Sequence, residues 1–319
     1  MIVVPDDYPS VFAGSDAEER AKALGSVRVF TGRGADDENE LARRIGNSQI
    51  AINIRAHAHF SEAVLAACPA LRMISIWGTG TDNIDLAAAA RRGVTVCNTA
   101  GVNAIAVAEH ALALMLAVAR KIPQIDRAMR GGAWPREMLG QLNGKTLGVF
   151  GAGAIGTHVA RLARAFGMTV LGWSARGDAA RLEAAGMTPA SKADILRRAD
   201  FITLHVRLAP GTRGLIGADE FAAMKPTAIL VNTGRGPLVD RAALVAALAG
   251  GRIAGAGLDV FHDEPLKPDD PLLRLDAAVL SPHNAGQTAE VRRDGLLRVV
   301  ENIANYLRGA PTNVVSAAP

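Results

Sequence analysis

Along the chain, short uninterrupted apolar runs alternate with longer stretches in which apolar positions recur at helical spacing. Strands buried on both faces give such runs, and their regular separation by helical stretches points to parallel sheets covered by helices. The first block predicts strands at Val27–Phe30, Ile50–Ile54, Met73–Ile76 and Thr95–Cys97, and helices at Asp37–Ile45, Ser61–Ala67 and Leu86–Arg92. A helix over Ala104–Arg120 follows, apolar on nearly every face and so expected to lie buried between layers. The segment Ile122–Asn143, with Gly131, Gly132, Trp134 and Pro135, reads as irregular. From Thr146 a second block predicts six strands, at Thr146–Phe150, Thr169–Trp173, Phe201–Leu204, Ala228–Asn232, Gly255–Asp259 and Ala278–Leu280. Helices are expected between them at Ile155–Phe166, Ala179–Ala185, Lys192–Ala199, Ala218–Ala223 and Arg241–Ala249, with a last helix over Thr288–Leu307.

Length and composition narrow this picture. A chain of 319 residues is long for one domain, since domains run to roughly 100–200 residues. With 49% hydrophobic and 21% charged residues there is material for large cores and no sign of global disorder. The net charge of +4 is spread along the chain, which fits a protein that handles small anions and not one that coats nucleic acid. Two cysteines, Cys68 and Cys97, exclude a disulfide scaffold and a cysteine-rich zinc site. The opening residues carry no basic, then apolar, leader pattern, and the longest apolar stretch is broken by Glu109 and His110. A cytoplasmic protein with no membrane partner is therefore expected.

The first chemical motif is Gly151-Ala152-Gly153-Ala154-Ile155-Gly156, placed between a predicted strand and a predicted helix. In a GxGxxG turn of this kind the first glycine permits the tight bend. The second admits a pyrophosphate to the backbone, and the third lets the helix pack close to the strand. The helix N-terminus then offers free N–H groups and a favourable dipole to the anion. About 20 residues further on, a carboxylate would hold the ribose 2′-hydroxyl of NAD. Here the strand is followed by Ser174-Ala175-Arg176, a hydroxyl and a guanidinium suited to a 2′-phosphate. NADP(H) is thus the expected cofactor, NAD the open alternative. The fold expected is α/β: two doubly wound parallel-sheet domains, the larger a Rossmann-type dinucleotide-binding domain.

Three further motifs follow predicted strands of the second block: Asn232-Thr233-Gly234-Arg235-Gly236-Pro237, Asp259-Val260-Phe261-His262-Asp263-Glu264-Pro265, and Ser281-Pro282-His283-Asn284-Ala285-Gly286. Residues just past strand C-termini face the ligand crevice of a doubly wound sheet, so Arg235, Glu264 and His283 can meet there. An arginine fork clamps a carboxylate, a histidine passes a proton, and a carboxylate beside it fixes the histidine tautomer. With a nicotinamide, this set suits hydride transfer at a 2-oxo or 2-hydroxy acid. Taken singly, each residue also reads as a loop cation, a turn carboxylate or a structural histidine.

From about Ile50 to Leu307 the chain resembles the D-isomer-specific 2-hydroxyacid dehydrogenases, the family of phosphoglycerate, glyoxylate/hydroxypyruvate and D-lactate dehydrogenases. The further markers are Gly80-Thr81-Asp82-Asn83-Ile84-Asp85, Val107-Ala108-Glu109-His110-Ala111-Leu112 and Gly144-Lys145-Thr146-Leu147-Gly148. The resemblance implies Arg235 as substrate clamp, His283 as acid/base and Glu264 as its partner. It implies a discontinuous substrate domain (1–100 with 287–319) around a dinucleotide-binding domain (101–286), and a homodimer through the latter with the Ile122–Asn143 region reaching across. Backbone N–H groups at Arg55, Ala56, Gly78, Thr79 and Gly80 are expected to meet the substrate. Val107, Gly151, Gly153, Ala154, Ile155, Gly156, Ser174, Arg176, His205, Arg207, Thr212, Thr233, Gly234, Asp259, Ala285 and Gly286 are expected to line the cofactor. Arg207 stands where the family usually has proline, and Glu264 stands where formate dehydrogenases carry glutamine, which argues against formate.

Glyoxylate and hydroxypyruvate lead among substrates, with an NAD-dependent oxidation of a larger D-hydroxy acid as the alternative. A cofactor-sensing protein like the corepressors similar to this family is the rival from another class. The remaining histidines draw no chemistry. His57 and His59 lack metal-ligating neighbours, His110 reads as a packing residue, and His158 and His262 are unassigned; His205, which follows a strand, has only the place near the cofactor given above.

Overall fold

The computed structural model describes residues 1–54 and 57–315, so the expected substrate contacts at Arg55 and Ala56 lie outside the described residues. The chain divides into two units, one of 1–103 with 287–319 and one of 104–286.

In the first unit, strands β1 (Ile2–Val4), β2 (Val27–Val29), β3 (Ile50–Asn53), β4 (Met73–Ile76) and β5 (Thr95–Cys97) form one parallel sheet in the order β2-β1-β3-β4-β5. Strand β1 and the helix after it, α1 (Asp16–Lys22), escape the sequence reading; β1 is three residues ended by Pro5. Helices α2 (Glu38–Ile45), α3 (Glu62–Ala67) and α4 (Leu86–Arg91) supply Leu41, Ile45, Val64, Leu65 and Ala88 to a core that takes Val3, Ala51, Ile74 and Val96 from the sheet. The alternate strand positions Ile2, Val4, Ile50, Ile52, Met73 and Cys97 face the other way, toward α1 and the chain's last helix. The period of two along each strand thus covers both faces. Ser15, Asp37, Ser61 and Asp85 cap α1 to α4, each side chain accepting from an amide three residues on.

The second unit opens with α5 (Ala104–Ala119), which has ten buried residues, and α6 (Ile122–Arg130). Helix α6 corrects the expectation that all of Ile122–Asn143 is irregular. Lys121 takes a left-handed turn (φ 48°) and Pro123 sits in the first turn, where its missing N–H costs nothing. Only the stretch after Gly131 lacks helix. The sheet has seven strands where six were expected. They are β6 (Thr146–Phe150), β7 (Thr169–Trp173), β8 (Thr188–Pro189), β9 (Phe201–Leu204), β10 (Ile229–Asn232), β11 (Gly255–Leu258) and β12 (Ala278–Leu280). The added β8 is a two-residue edge strand containing proline, too short for any hydrophobic pattern. All are parallel, in the order β12-β11-β10-β9-β6-β7-β8, which reverses between β6 and β9 as in dinucleotide-binding sheets.

Helices α7 (Ala154–Ala165) and α5 cover one face over Leu147, Val149, Ile229 and Val231. Helices α9 (Lys192–Arg198), α10 (Ala218–Ala223) and α11 (Arg241–Ala249) cover the other over Leu204, Leu230, Ala256 and Leu258, while α8 (Ala179–Ala184) follows β7. The close seat of α5 is written into β11. A Cβ on Gly255 would stand 2.6 Å from Val118, and one on Gly257 2.8 Å from Leu114, so both same-face strand positions are stripped to let one helix face settle. The last helix, α12 (Ala289–Leu307), capped by Thr288, belongs to the first unit.

Candidate active site

The register of the second sheet sets the site. Phe150 pairs with Trp173 and Leu204, Leu204 with Asn232, Asn232 with Leu258, and Leu258 with Leu280. The next residue of each strand therefore falls on one row at the C-terminal edge: Ser174, Gly151, His205, Thr233, Asp259 and Ser281. Gly151 and Ser174 were expected to line the cofactor from the glycine motif and its spacing, Thr233 and Asp259 from the family resemblance, and His205 because it follows a strand.

At the strand reversal, Gly151 turns with φ 108°. A Cβ on Gly151 would lie 2.5 Å from the carbonyl oxygen of His205, and one on Gly156 1.9 Å from the carbonyl oxygen of Gly151. No L-residue with a side chain fits either place. Gly153 stands instead in open space and leads into α7 without a side-chain cap, so the first-turn amides of this helix keep no protein partner of that kind. Two buried polar atoms on the same edge, Thr233 Oγ1 and His205 Nδ1, have no hydrogen-bond partner among the described residues. Uncapped amides, a side-chain-free turn and orphaned polar atoms fit a bound dinucleotide.

The loop after β7 holds Ser174, half-buried, and Arg176, exposed. Its first carboxylate, Asp178, accepts from Arg181 N and caps α8. Arg181, which the sequence reading passed over, reaches back to donate from Nε to the Ala152 carbonyl at 2.8 Å. Two residues named for the cofactor spend their polar groups internally. Thr212 donates its hydroxyl to the Arg207 carbonyl and accepts from Ala209 N, holding the turn on which Arg207 stands exposed. Asp259, fully buried, accepts from Ser281 Oγ (2.6 Å) and from the amides of Asn284 and Ala285 (3.0 Å each). Val107 and Ala285 are buried, while Gly234, Gly286 and Ile155 are partly exposed and Ala154 is exposed.

Glu264 and His283 come together. His283 Nδ1 lies 2.6 Å from Glu264 Oε2, and Glu264 Oε1 accepts from Phe261 N at 2.9 Å. Burial raises the Glu264 pKa, but the bonds from His283 and Phe261, aided by the charges of His283 and Arg235, outweigh it and leave the carboxyl below its ordinary value. An ionised carboxylate only accepts, so Nδ1 of His283 carries the proton and Nε2 is the nitrogen free to act. His283 itself sits in left-handed backbone (φ 51°), uncommon outside glycine. Arg235 lies in the adjoining loop, its Nη1 donating to the Gly234 carbonyl and its own carbonyl held by Asn232 Nδ2. A Cβ on Gly236 would stand 2.1 Å from the Phe261 carbonyl carbon; that glycine lets the arginine loop close on the glutamate loop.

In the first unit Gly78, Thr79 and Gly80 follow β4. The amide of Gly78 is already taken, donating to Thr99 Oγ1 at 2.8 Å, and Asn98 Nδ2 holds the Thr79 carbonyl. Of the expected N–H donors in this turn, Thr79 and Gly80 remain. His57, given no role by the sequence, bonds the buried Asp6 through Nε2 at 3.1 Å. Among the described residues no group of three or more histidine, cysteine or acidic side chains is placed to hold a metal ion, and no helix is long and apolar enough to cross a membrane.

Comparison with known proteins bears on the family and the fold. The profile of the D-isomer specific 2-hydroxyacid dehydrogenase NAD binding domain matches residues 112–285. A glyoxylate reductase of Korarchaeum cryptofilum is 44% identical over 262 residues, covering 79% of this chain and 78% of its own. A D-3-phosphoglycerate dehydrogenase of Archaeoglobus fulgidus is 42% identical over 287 residues, 89% of this chain but 54% of its own, so the chain spans about half the length of that relative. An acyclic imino acid reductase solved with NADPH and D-arginine superposes with a TM-score of 0.90 at 30% identity, covering 98% of this chain and 99% of that one. The chain belongs to the D-isomer specific 2-hydroxyacid dehydrogenase family.

Proposed function

We propose that the protein reduces a small 2-oxo acid, of the glyoxylate or hydroxypyruvate type, to the D-2-hydroxy acid with NADPH. The observation that carries this reading is the 2.6 Å His283–Glu264 pair beside the Arg235 loop, at the edge where the uncapped glycine turn also opens. A nicotinamide bound on that edge would supply the hydride to substrate C2. Arg235 would fork the carboxylate and polarise the neighbouring carbonyl. Nε2 of His283 would give its proton to the carbonyl oxygen, with ionised Glu264 balancing the imidazolium beforehand and keeping Nδ1 protonated afterwards.

NADPH over NADH is supported by Ser174 in the acidic position, by Asp178 being committed to its helix, and by the guanidinium groups of Arg176 and Arg181 around the same turn. A homodimer through the second unit is supported by the exposed apolar side chains of Trp134 (73%) and Met138 (97%).

A panel of 2-oxo acids with both reduced cofactors tests the reading. Turnover of glyoxylate or hydroxypyruvate with higher kcat/KM for NADPH is expected; NADPH binding with no turnover would instead indicate a cofactor sensor. His283→Ala is expected to cost about 10²–10⁴ in kcat. An unchanged kcat would remove His283 from the proton-transfer role.

A further inference from the structure

His110, on α5, lies far from His283 in sequence, yet it is tied to the loop that carries it. Its Nε2 is 2.8 Å from Ser281 Oγ and 3.6 Å from Asp259 Oδ1. The proton order follows from the partners. Asp259, as a carboxylate, accepts, so Ser281 Oγ must donate its single proton across their 2.6 Å contact. The serine oxygen is then left as an acceptor toward His110, whose Nε2 must carry hydrogen. Asp259 in turn receives the amides of Asn284 and Ala285, the two residues directly after the left-handed His283. One carboxylate thus fixes the backbone that an uncommon φ would otherwise release, and His110 fixes the serine that orients that carboxylate.

We infer that His110 is a positioning residue for His283, acting through Ser281 and Asp259 as an Nε2–H donor. The side chain touches no reacting atom. It sets how firmly the loop Ser281–Ala285 holds the proton-donating imidazole. Its kinetic consequence rests on the reductase reading; its structural consequence does not.

The test therefore has two readouts on the full chain. His110→Leu and Ser281→Ala remove the chain of bonds, while His110→Gln keeps an amide donor near the Nε2 position. Amide hydrogen exchange at Asn284 and Ala285 is expected to quicken about tenfold in the Leu and Ala variants and to stay at the parent rate in the Gln variant. Exchange at Val149 and Ile202, buried in β6 and β9, is expected to be unchanged in all three, which separates the loop from a general loss of fold. With a 2-oxo acid, kcat falls in parallel by about tenfold with KM within twofold, and the double variant is no worse than either single one. Unchanged exchange at Asn284 and Ala285 in His110→Leu, or equal loosening in His110→Gln, would overturn the inference. A parent protein without turnover would overturn the reductase reading alone, since the exchange rates would still decide the role of His110.

Discussion

The two sheets reverse their strand order in the same manner and treat the resulting crevice in opposite ways. After β1 the first unit places Asp6 and Asp7, both buried. Asp7 takes the amides of Val11, Phe12 and Ala13 and the hydroxyl of Ser10; Asp6 takes those of Tyr8 and Ala35 and the ring of His57. The protein's own anions satisfy its own donors. After β6 the second unit places Gly151 and Gly153, no carboxylate, and a helix without a side-chain cap. The difference teaches where to look for a bound anion: at the helix N-terminus that the chain has left without an acidic side chain or a side-chain cap.

The comparison is open to attack from both sides. The largest effect is expected at the closed crevice. Asp7→Asn leaves one acceptor oxygen where two served four groups, at a cost of about 3 kcal/mol in a urea unfolding measurement. NADPH affinity should not change; a matching loss of affinity would merge what the two crevices keep apart. Next comes Gly153→Asp, which writes the first crevice's solution into the second. The position has room for a side chain and an extended backbone (φ −78°, ψ −175°) suited to a cap. Stability should shift by only about 0.3 kcal/mol, while NADPH binding weakens about tenfold or more by calorimetry. Undiminished binding would show that α7 does not meet the pyrophosphate.

A third contrast concerns the two crevice histidines. His57 has Asp6; His205 is packed with no carboxylate bond, and burial alone lowers its pKa to about 3. The folded protein thus refuses a proton that the unfolded chain accepts below the ordinary histidine value of 6.5. Between pH 6.5 and 3 the unfolded state binds more protons, so stability falls as pH falls. His205→Gln should make that decline shallower in denaturation midpoints taken across the window. An identical slope would mean that other groups set it.

Most strands were legible because burial on both faces leaves short apolar runs, as in Ala228–Val231 and Ala278–Leu280. What failed was short or locally determined: β1 at three residues, β8 at two, and α6, hidden by the Lys121 turn and Pro123. The chemical residues were legible where topology delivers them one step past a strand. Their partners were not. No periodicity relates His110 to Ser281, 171 residues apart, or Asp6 to His57. Nor does a motif reveal that Thr212, Asp259 and the Gly78 amide are spent on the protein itself. Such facts follow from packing, which a one-dimensional pattern does not contain.

Helix α12 carries a consequence for synthesis. Leu296, Val299, Val300 and Ile303 complete the core formed by Ile2, Val4, Ile50 and Ile52, and the Val299 carbonyl takes the hydroxyl of Ser75. A ribosome delivers the chain from its N-terminus, so the first hundred residues emerge early with one sheet face covered only by α1 and the turn before it. The second unit, continuous in sequence, has all its strands and helices before α12 is made. The unit begun first is therefore finished last, and during translation its exposed apolar face is the surface a chaperone would meet.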